Sequence, residues 1–131
     1  MESGVTTSAA VADWLDRYVA AWVSGDPDDI GRLFSADAVY RYHPADPPII
    51  GREAIVDSWL DDPDDPGTFE AQYEAYAVDG DRAVATGWSR YFSGPDHATV
   101  ETTYDNCFVM AFDSAGHCTE FTEWFRRRPE V

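Results

Sequence analysis

Two alternating segments near the end of the chain, residues 104–112 and 117–125, constrain the fold more than any other feature of the sequence. Residues 113–116 between them have the composition of a tight turn, so the stretch predicts a β-hairpin. Strand side chains point alternately to the two faces of a sheet, and every second residue of both segments therefore shares one face. With a four-residue loop, Asn106 lies opposite Glu123. The hairpin predicts an amide and a carboxyl side by side.

The face around Glu123 is otherwise aromatic, since the same register pairs Phe108 with Phe121 and Tyr104 with Phe125. A carboxyl group in apolar surroundings costs free energy unless it is paired or neutralised. Glu123 therefore predicts a pocket and is the first candidate functional residue.

Length and charge limit the class of protein. A chain of 131 residues can bury one core, so we expect a single domain over residues 1–131 with a flexible N-terminus at residues 1–7. The net charge of −16 argues against nucleic acid or an anionic membrane as a partner. The sequence contains no apolar run of membrane-spanning length and no recognisable signal segment, and we expect a cytoplasmic protein.

Cysteine and histidine usage indicates neither a disulfide nor a metal site. The hairpin register places Cys107 opposite Thr122 and Cys118 opposite Ala111, so the two thiols are not expected to pair, which fits a reducing compartment. The three histidines are isolated, and no His, Cys and carboxylate spacing resembles a metal-ligand pattern. We expect neither a metal nor an organic cofactor.

Hydrophobic periodicity and turn signals predict helices first and a β-meander afterwards. The predicted elements are a helix from about Ser8 to Ser24, a helix from Pro27 to near Ala36, a strand over 38–43, a helix opening at Gly51-Arg52-Glu53, and strands over about 69–78, 82–93, 98–112 and 117–127. This order is typical of an α+β domain with helices against one face of a curved, mainly antiparallel sheet.

The turn at residues 79–82 is predicted to pair Tyr73 with Trp88 and Ala71 with Arg90. A single β-bulge in this hairpin would turn Trp88 and Arg90 outward. The predicted inner face comprises Phe69, Tyr73, Trp88, Arg90, Phe92, Thr102, Tyr104 and Asn106. Small residues and one tryptophan dominate the predicted outer face and favour a homodimer through it; they are Ala83, Ala85, Gly87, Thr103, Cys107, Thr122 and Trp124.

The chain resembles the NTF2-like superfamily, and within it SnoaL-like proteins. Arg17-Tyr18-Val19-Ala20-Ala21, Gly25-Asp26, Leu33-Phe34 and Asp37-Ala38 resemble the opening of ketosteroid isomerases. Pro44-Ala45-Asp46-Pro47-Pro48 and Gly51-Arg52-Glu53-Ala54-Ile55 are more similar to limonene epoxide hydrolases and general SnoaL-like proteins. The resemblance implies a cystatin-like α+β cone with three N-terminal helices, a fold that hosts many unrelated chemistries.

The isomerase resemblance implies roles for two residues of the chain. Tyr18 falls where that family places the tyrosine that polarises a ketone oxygen. Asn106 falls where the family has a protonated Asp, and an amide can also donate a hydrogen bond there. Tyr42 stands in place of the catalytic base on the first strand, so the resemblance does not extend to classical steroid isomerisation.

The epoxide hydrolase resemblance implies a water-activating set of which this chain keeps only part. Tyr40 matches the family's Tyr, whereas Tyr42, Tyr104 and Asn106 replace its Asn, its Arg and one Asp. Glu123 alone keeps the acidic function of the second Asp. Because a relay of two acidic or basic groups is incomplete, the sequence argues against epoxide hydrolysis.

Glu123 has two interpretations. As a general base, it would take a proton while Tyr18 or Asn106 stabilises the developing oxyanion. As a structural residue, it would be hydrogen-bonded to Asn106 or paired with Arg90 on the same predicted face. The residues expected to line the substrate cavity are Tyr40, Tyr42, Trp59, Tyr73, Trp88, Arg90, Tyr104, Phe108 and Phe121.

Three hypotheses remain open from the sequence. The first is a cofactor-independent isomerase, cyclase or dehydratase that transfers protons on an apolar carbonyl compound. The second is a non-catalytic binding module for a small apolar molecule, in which Arg90 neutralises Glu123. The third is a dimeric interaction domain whose cone is filled by its own side chains.

Overall fold

The computed structural model describes residues 6–129 and has an α+β fold, which confirms the predicted class. Its elements are α1 (Ser8–Ser24), α2 (Pro27–Gly31), β1 (Phe34–Arg41), β2 (Ile49–Ile50), α3 (Arg52–Asp61), β3 (Phe69–Asp79), β4 (Arg82–Phe92), β5 (Val100–Phe112) and β6 (Cys118–Arg127). The strands form one six-stranded sheet in the order β2-β1-β6-β5-β4-β3. The sheet is mixed, because β1 runs parallel to β6 whereas the other neighbours are antiparallel.

Helix α1 has the predicted bounds because its ends are capped. The Thr7 side chain accepts a hydrogen bond from the backbone N–H of Ala10, and Gly25 ends the helix in the left-handed region at φ 63°. Of the predicted flexible segment, residues 1–5 lie outside the described residues, whereas the backbone N–H of Thr6 donates to the carbonyl of Gly80 at 2.8 Å.

Helix α2 is shorter than predicted and ends at Gly31 instead of near Ala36. The carbonyl of Leu33 makes tertiary hydrogen bonds instead of a helical one. It accepts from the indole of Trp14 and from the backbone N–H of Cys118, both at 2.9 Å. Phe34, fully buried, already belongs to β1. Tertiary contacts therefore outweigh the helical periodicity of this segment.

The core is an aromatic layer between α1 and the inner face of the sheet, the face that carries the helices. Trp14 packs edge-on against Phe34 and Phe112, with ring centroids 6.0 and 5.6 Å apart. Tyr18 stacks on Phe121 at 5.7 Å. Each of these rings is at most 7% exposed, so the layer packs without solvent access on one side of Tyr18.

The closing hairpin forms, but its register is displaced by two residues from the prediction. Asn106 pairs with Phe125, Phe108 with Glu123, and Tyr104 with Arg127. The ladder shifts between Ala111 and Phe112, next to a loop in which the Asp113 carboxylate accepts the backbone N–H groups of Ala115 and His117. A displacement of two keeps every side chain on its predicted face. For the thiols, Cys107 pairs with Trp124 and Cys118 with Phe112, and both cysteines are free.

The β3–β4 hairpin contains a bulge that changes which residues face the core. Near the turn the predicted register holds, with Asp79 paired to Arg82. Between Ala75 and Ala77 the register shifts by one residue, so Tyr73 pairs with Gly87 instead of Trp88. The extra residue lies on β3. Relative to Tyr73, residues 83–91 of β4 therefore all lie on the opposite face from the one predicted.

The bulge makes the predicted inner positions of Trp88 and Arg90 wrong. Both lie on the outer face, where Arg90 pairs across the strands with Glu70 and Thr103. The predicted outer positions of Ala83, Ala85 and Gly87 are wrong as well. Ala83 and Ala85 are 3% and 0% exposed in the core. No helix within residues 6–129 combines the length and apolar character that crossing a bilayer requires.

Candidate functional site

A cavity of about 560 Å³ opens between α1, α3 and the inner face of the sheet, beneath the loop that follows α3. Six residues that the sequence nominated line it: Tyr18, Tyr40, Tyr42, Trp59, Tyr73 and Glu123. Helical spacing on α1 and strand alternation on β1, β3 and β6 direct these side chains to one space. Aromatic walls with a few polar groups are typical of small-molecule sites.

Glu123 lies at the end of a hydrogen-bonded chain that crosses β4, β5 and β6. The Asn106 amide donates from Nδ2 to Glu123 Oε2 at 2.6 Å, and Ser89 Oγ donates to Asn106 Oδ1 at 3.0 Å. Because Ser89 donates to the amide oxygen, the amide nitrogen faces Glu123. Asn106 and Ser89 are 7% and 3% exposed. The predicted amide–carboxyl contact is confirmed, although it runs diagonally between strands.

Burial raises the pKa of Glu123 from 4.5 to about 7, and the hydrogen bond from Asn106 opposes that rise. Within the described part of the chain, Asn106 is the one hydrogen-bond partner of the carboxyl and no basic side chain forms an ion pair with it. Glu123 can therefore exchange a proton near neutral pH through Oε1, the oxygen that Asn106 leaves free.

The hydroxyls of Tyr18 and Tyr40 form a polar cluster near Glu123. Burial raises the pKa of both phenols well above the usual value, and the negative charge of Glu123 adds to the rise. The neighbouring Tyr18 hydroxyl and Trp59 indole oppose the rise at Tyr40. Both phenols remain protonated at physiological pH and can donate to a bound oxygen.

The indole nitrogen of Trp59 is buried and makes no well-formed hydrogen bond to any atom of residues 6–129. It lies close enough to the Tyr40 hydroxyl to lower the pKa of that phenol. The indole contacts Tyr18 edge-on with ring centroids 5.1 Å apart, and it lines the same cavity. Leaving a buried N–H unpaired costs free energy, so a ligand oxygen placed here would gain a hydrogen bond.

A second cavity of about 400 Å³ reaches Glu123 from the β5 side. Asn106 and Tyr104 line this space, which shares Ser89, Tyr91 and Glu123 with the larger cavity. The Glu123 carboxyl therefore lies between two solvent-accessible spaces.

Four of the nominated residues line neither cavity. Phe108 and Phe121 are 0% and 1% exposed and belong to the core beneath it. Trp88 and Arg90 lie on the outer face, where the Arg90 guanidinium stacks 4.8 Å above the Trp88 ring and contacts Glu70 at 3.5 Å. Arg90 therefore does not neutralise Glu123, and the proposed pairing of the two is wrong.

The sequence prediction missed four polar residues of the site. Ser89 and Tyr91 face the cavity because the bulge turned β4 over, and nothing in the local sequence signals that bulge. Ser58, the residue before Trp59 on α3, shares a 2.9 Å hydrogen bond with the Tyr42 hydroxyl. Asp64 lies in the loop between α3 and β3.

The acidic loop after α3 covers the mouth of the cavity. The Asp64 carboxylate accepts a 3.0 Å hydrogen bond from Trp22 Nε1, and the Trp22 ring stacks on Phe69 with centroids 4.2 Å apart. Asp64 lines both cavities and raises the pKa of Tyr91, although burial is the larger cause of that rise. Helix α1 therefore anchors the loop over the site.

No group of three or more His, Cys, Asp and Glu side chains within residues 6–129 is arranged to hold a metal ion. The chemistry available from the described residues is hydrogen-bond donation by phenols, an indole and an amide, together with proton exchange at one carboxyl.

Residues 15–121 match the family model of the SnoaL-like domain. An NTF-2 like protein of unknown function from Burkholderia xenovorans LB400 superposes with a TM-score of 0.68 at 18% identity, covering 94% of this chain and 88% of that one. An LEH-like epoxide hydrolase from M. tuberculosis superposes with a TM-score of 0.66 at 16% identity, covering 91% and 84%. At these identities the two structures show a shared fold. No curated protein sequence matches the chain.

Proposed function

Because the chain belongs to the SnoaL-like domain family of the NTF2-like superfamily, we propose that it binds a small apolar carbonyl compound and catalyses proton transfer on it. The class of substrate is polyketide-, steroid- or terpenoid-like. The observation that carries the proposal is the Glu123 carboxyl on the cavity wall, held at Oε2 by Asn106 at 2.6 Å and without a basic partner among residues 6–129. An isomerisation, cyclisation or dehydration would use the same first step.

In that step, Glu123 Oε1 takes a proton from the carbon next to the substrate carbonyl. The electron pair of the broken C–H bond moves onto the carbonyl oxygen as an enolate. The Tyr40 hydroxyl, which lies beside Tyr18 and Trp59, donates a hydrogen bond to that oxygen. Donors aimed at a developing oxyanion are worth several kcal/mol. Protonated Glu123 then returns the proton to another carbon of the substrate, which completes an isomerisation.

The site supports epoxide hydrolysis less well, although one structural neighbour is an LEH-like epoxide hydrolase. Opening an epoxide with water needs one group to activate the water and another to protonate the ring oxygen. Asn106 provides an amide where a second acid would be required, and its Nδ2 already donates to Glu123.

A model isomerisation tests the proposal. Wild-type protein is mixed with cyclohex-3-en-1-one, and conversion to the conjugated enone is followed by ultraviolet absorption. We expect catalysis above buffer, kcat/KM that rises with pH to a plateau above about 7, and a loss of about 10²–10⁴-fold in Glu123→Gln. Glu74→Gln, which removes an exposed carboxyl from the outer face, is the matched control.

Equal turnover in Glu123→Gln and in wild type would contradict the assignment of the base. A Glu123 pKa near 4.5, measured by carboxyl-carbon NMR titration of the wild type, would also contradict it, because such a carboxyl would be solvated or paired.

We also propose a homodimer formed through the outer face of the sheet. This face carries no helix, and two of its large apolar side chains are exposed, Trp124 at 53% and Val109 at 45%. Cys107 and Thr86, beside Trp124 across the strands, are small enough to leave the surface flat. Flat surfaces with an aromatic anchor are suited to sheet-to-sheet association.

A further inference from the structure

Both cavities beside Glu123 are lined by carboxyl groups, and no basic side chain of residues 6–129 lines either of them. The carboxyl groups are those of Asp61, Asp62, Asp64, Glu101 and Glu123. Arg90, the cation that the sequence suggested as a partner for Glu123, points to the opposite face and pairs with Glu70. A ligand entering here meets negative charge alone.

Glu123 is also surrounded by oxygen atoms that can accept hydrogen bonds. The groups that line the same space are Tyr18 from α1, Tyr40 from β1, Tyr42 just after β1, Tyr73 from β3, Tyr91 from β4, and Asp64 from the loop at the mouth. The negative charge of Glu123 acts on all five phenols. Phenol oxygens accept as well as donate, and Glu123 Oε2 has a second lone pair beside the one that Asn106 uses. A group with several N–H donors could bond to the phenols and to Oε2 together, which leaves Oε1 to take the substrate proton.

We propose that the ligand carries a protonated amine, whose nitrogen lies between the Glu123 carboxylate and the surrounding tyrosine hydroxyls. The inference rests on the proposed function for the position of the ligand against Glu123, and it narrows the substrate class to apolar compounds with a basic nitrogen.

The physical reason is the missing counter-charge. A buried carboxylate without a cationic partner is costly, and an ammonium group at hydrogen-bond distance supplies that partner. The tyrosine and tryptophan rings add cation–π attraction where their faces are accessible. A phosphate, carboxylate or sulfate on the ligand would meet like charge at the mouth and at Glu123, so the site selects against anionic compounds.

Three probes of equal length test the inference: 4-phenylbutylamine, 4-phenylbutan-1-ol and 4-phenylbutanoate, which are cationic, neutral and anionic at pH 8. Titration calorimetry at pH 8 should give at least tenfold tighter binding of the amine than of the alcohol, and weaker binding of the carboxylate than of either. Below pH 7 amine binding should weaken by about tenfold for each pH unit, because Glu123 must lose its proton to pair with the ammonium. The alcohol should show no such loss.

Glu123→Gln should remove both the preference for the amine and its pH dependence, while the alcohol still binds. Glu74→Gln changes the net charge of the protein equally, on the face of the sheet opposite to the cavity, and should leave both intact. If Glu123→Gln fails to fold, an NMR measurement on the wild type tests the inference. At pH 6, binding of the amine must shift the Glu123 carboxyl-carbon resonance to the position of the ionised form.

The inference is overturned if the alcohol binds as tightly as the amine at pH 8, or if the preference for the amine persists in Glu123→Gln. After either result, the proposed function still holds if the model isomerisation is lost in Glu123→Gln. Conversely, an amine preference that requires Glu123 in a protein without isomerase activity supports the ligand class and contradicts the catalytic role.

Discussion

Glu123 shows how neighbouring residues adjust the proton affinity of one carboxyl. The apolar wall raises its pKa, while the amide of Asn106 keeps the pKa from rising further by stabilising the ionised form. Ser89 fixes the direction of that amide through a 3.0 Å hydrogen bond. The site thus holds an acid near the midpoint of its titration at neutral pH, where both proton uptake and release are feasible.

The raised pKa predicts how stability depends on pH. Since the pKa of Glu123 is about 7 in the folded protein against 4.5 for the ordinary carboxyl, its contribution is fully present below pH 4.5 and is lost as the pH rises through 7. Relative to Glu123→Gln, the wild type should lose about 3 kcal/mol of unfolding free energy between pH 4 and pH 8. Urea unfolding at both pH values measures the difference.

Glu74→Gln provides the control for that comparison, because Glu74 is exposed on the outer face. Its stability should follow the wild type across the same pH range. Parallel curves for the wild type and Glu123→Gln would show that burial does not perturb Glu123.

At the scale of elements, the β3–β4 hairpin decides the composition of the site. The bulge between Ala75 and Ala77 places Tyr73 opposite Gly87 and turns Ser89 and Tyr91 toward Glu123. Gly87 permits this arrangement, since a Cβ there would overlap the carbonyl oxygen of Gln72 and lie 2.6 Å from the Tyr73 ring. The cavity wall therefore depends on a residue without a side chain.

Gly87→Ala should accordingly destabilise the protein by about 2–3 kcal/mol and displace the Tyr73 ring from the cavity. Chemical denaturation gives the loss of stability, and the ring resonances of Tyr73 report its displacement. Gly94→Ala is the matched control, because its nearest neighbour, Asp96 Oδ1, is 3.5 Å away. Similar stabilities for the two variants would mean that β3 accommodates the methyl group by a small shift.

At the scale of the molecule, charge and exposed apolar surface act in opposite directions on self-association. The net charge of −16 repels a second copy of the chain, and this repulsion is screened by salt. The helix-free outer face favours association through Trp124, which is 53% exposed, and through Val109, which pairs with Thr122 on the same face. The balance predicts a dimer that becomes tighter as salt concentration rises.

Sedimentation velocity tests this prediction. The wild type should sediment at twice the mass of the chain, with a dissociation constant that falls between low and physiological salt. Trp124→Glu should yield monomers, whereas Val100→Glu, at an equally exposed position at the start of β5, should not. A wild type that stays monomeric at high protein concentration and high salt would contradict an interface on this face.

Local signals in the chain are enough to predict most of the helices and strands and the face on which Glu123 lies. Thr7 and Gly25 cap α1 and so define its ends. In the closing hairpin, a register error of two residues leaves every side chain on its predicted face. Contacts between elements distant in sequence set the end of α2. They also place Trp88 and Arg90 on the outer face, and Ser89 and Tyr91 on the cavity wall. The reason is physical: a bulge arises from packing between strands, and a one-residue shift reverses every side chain beyond it.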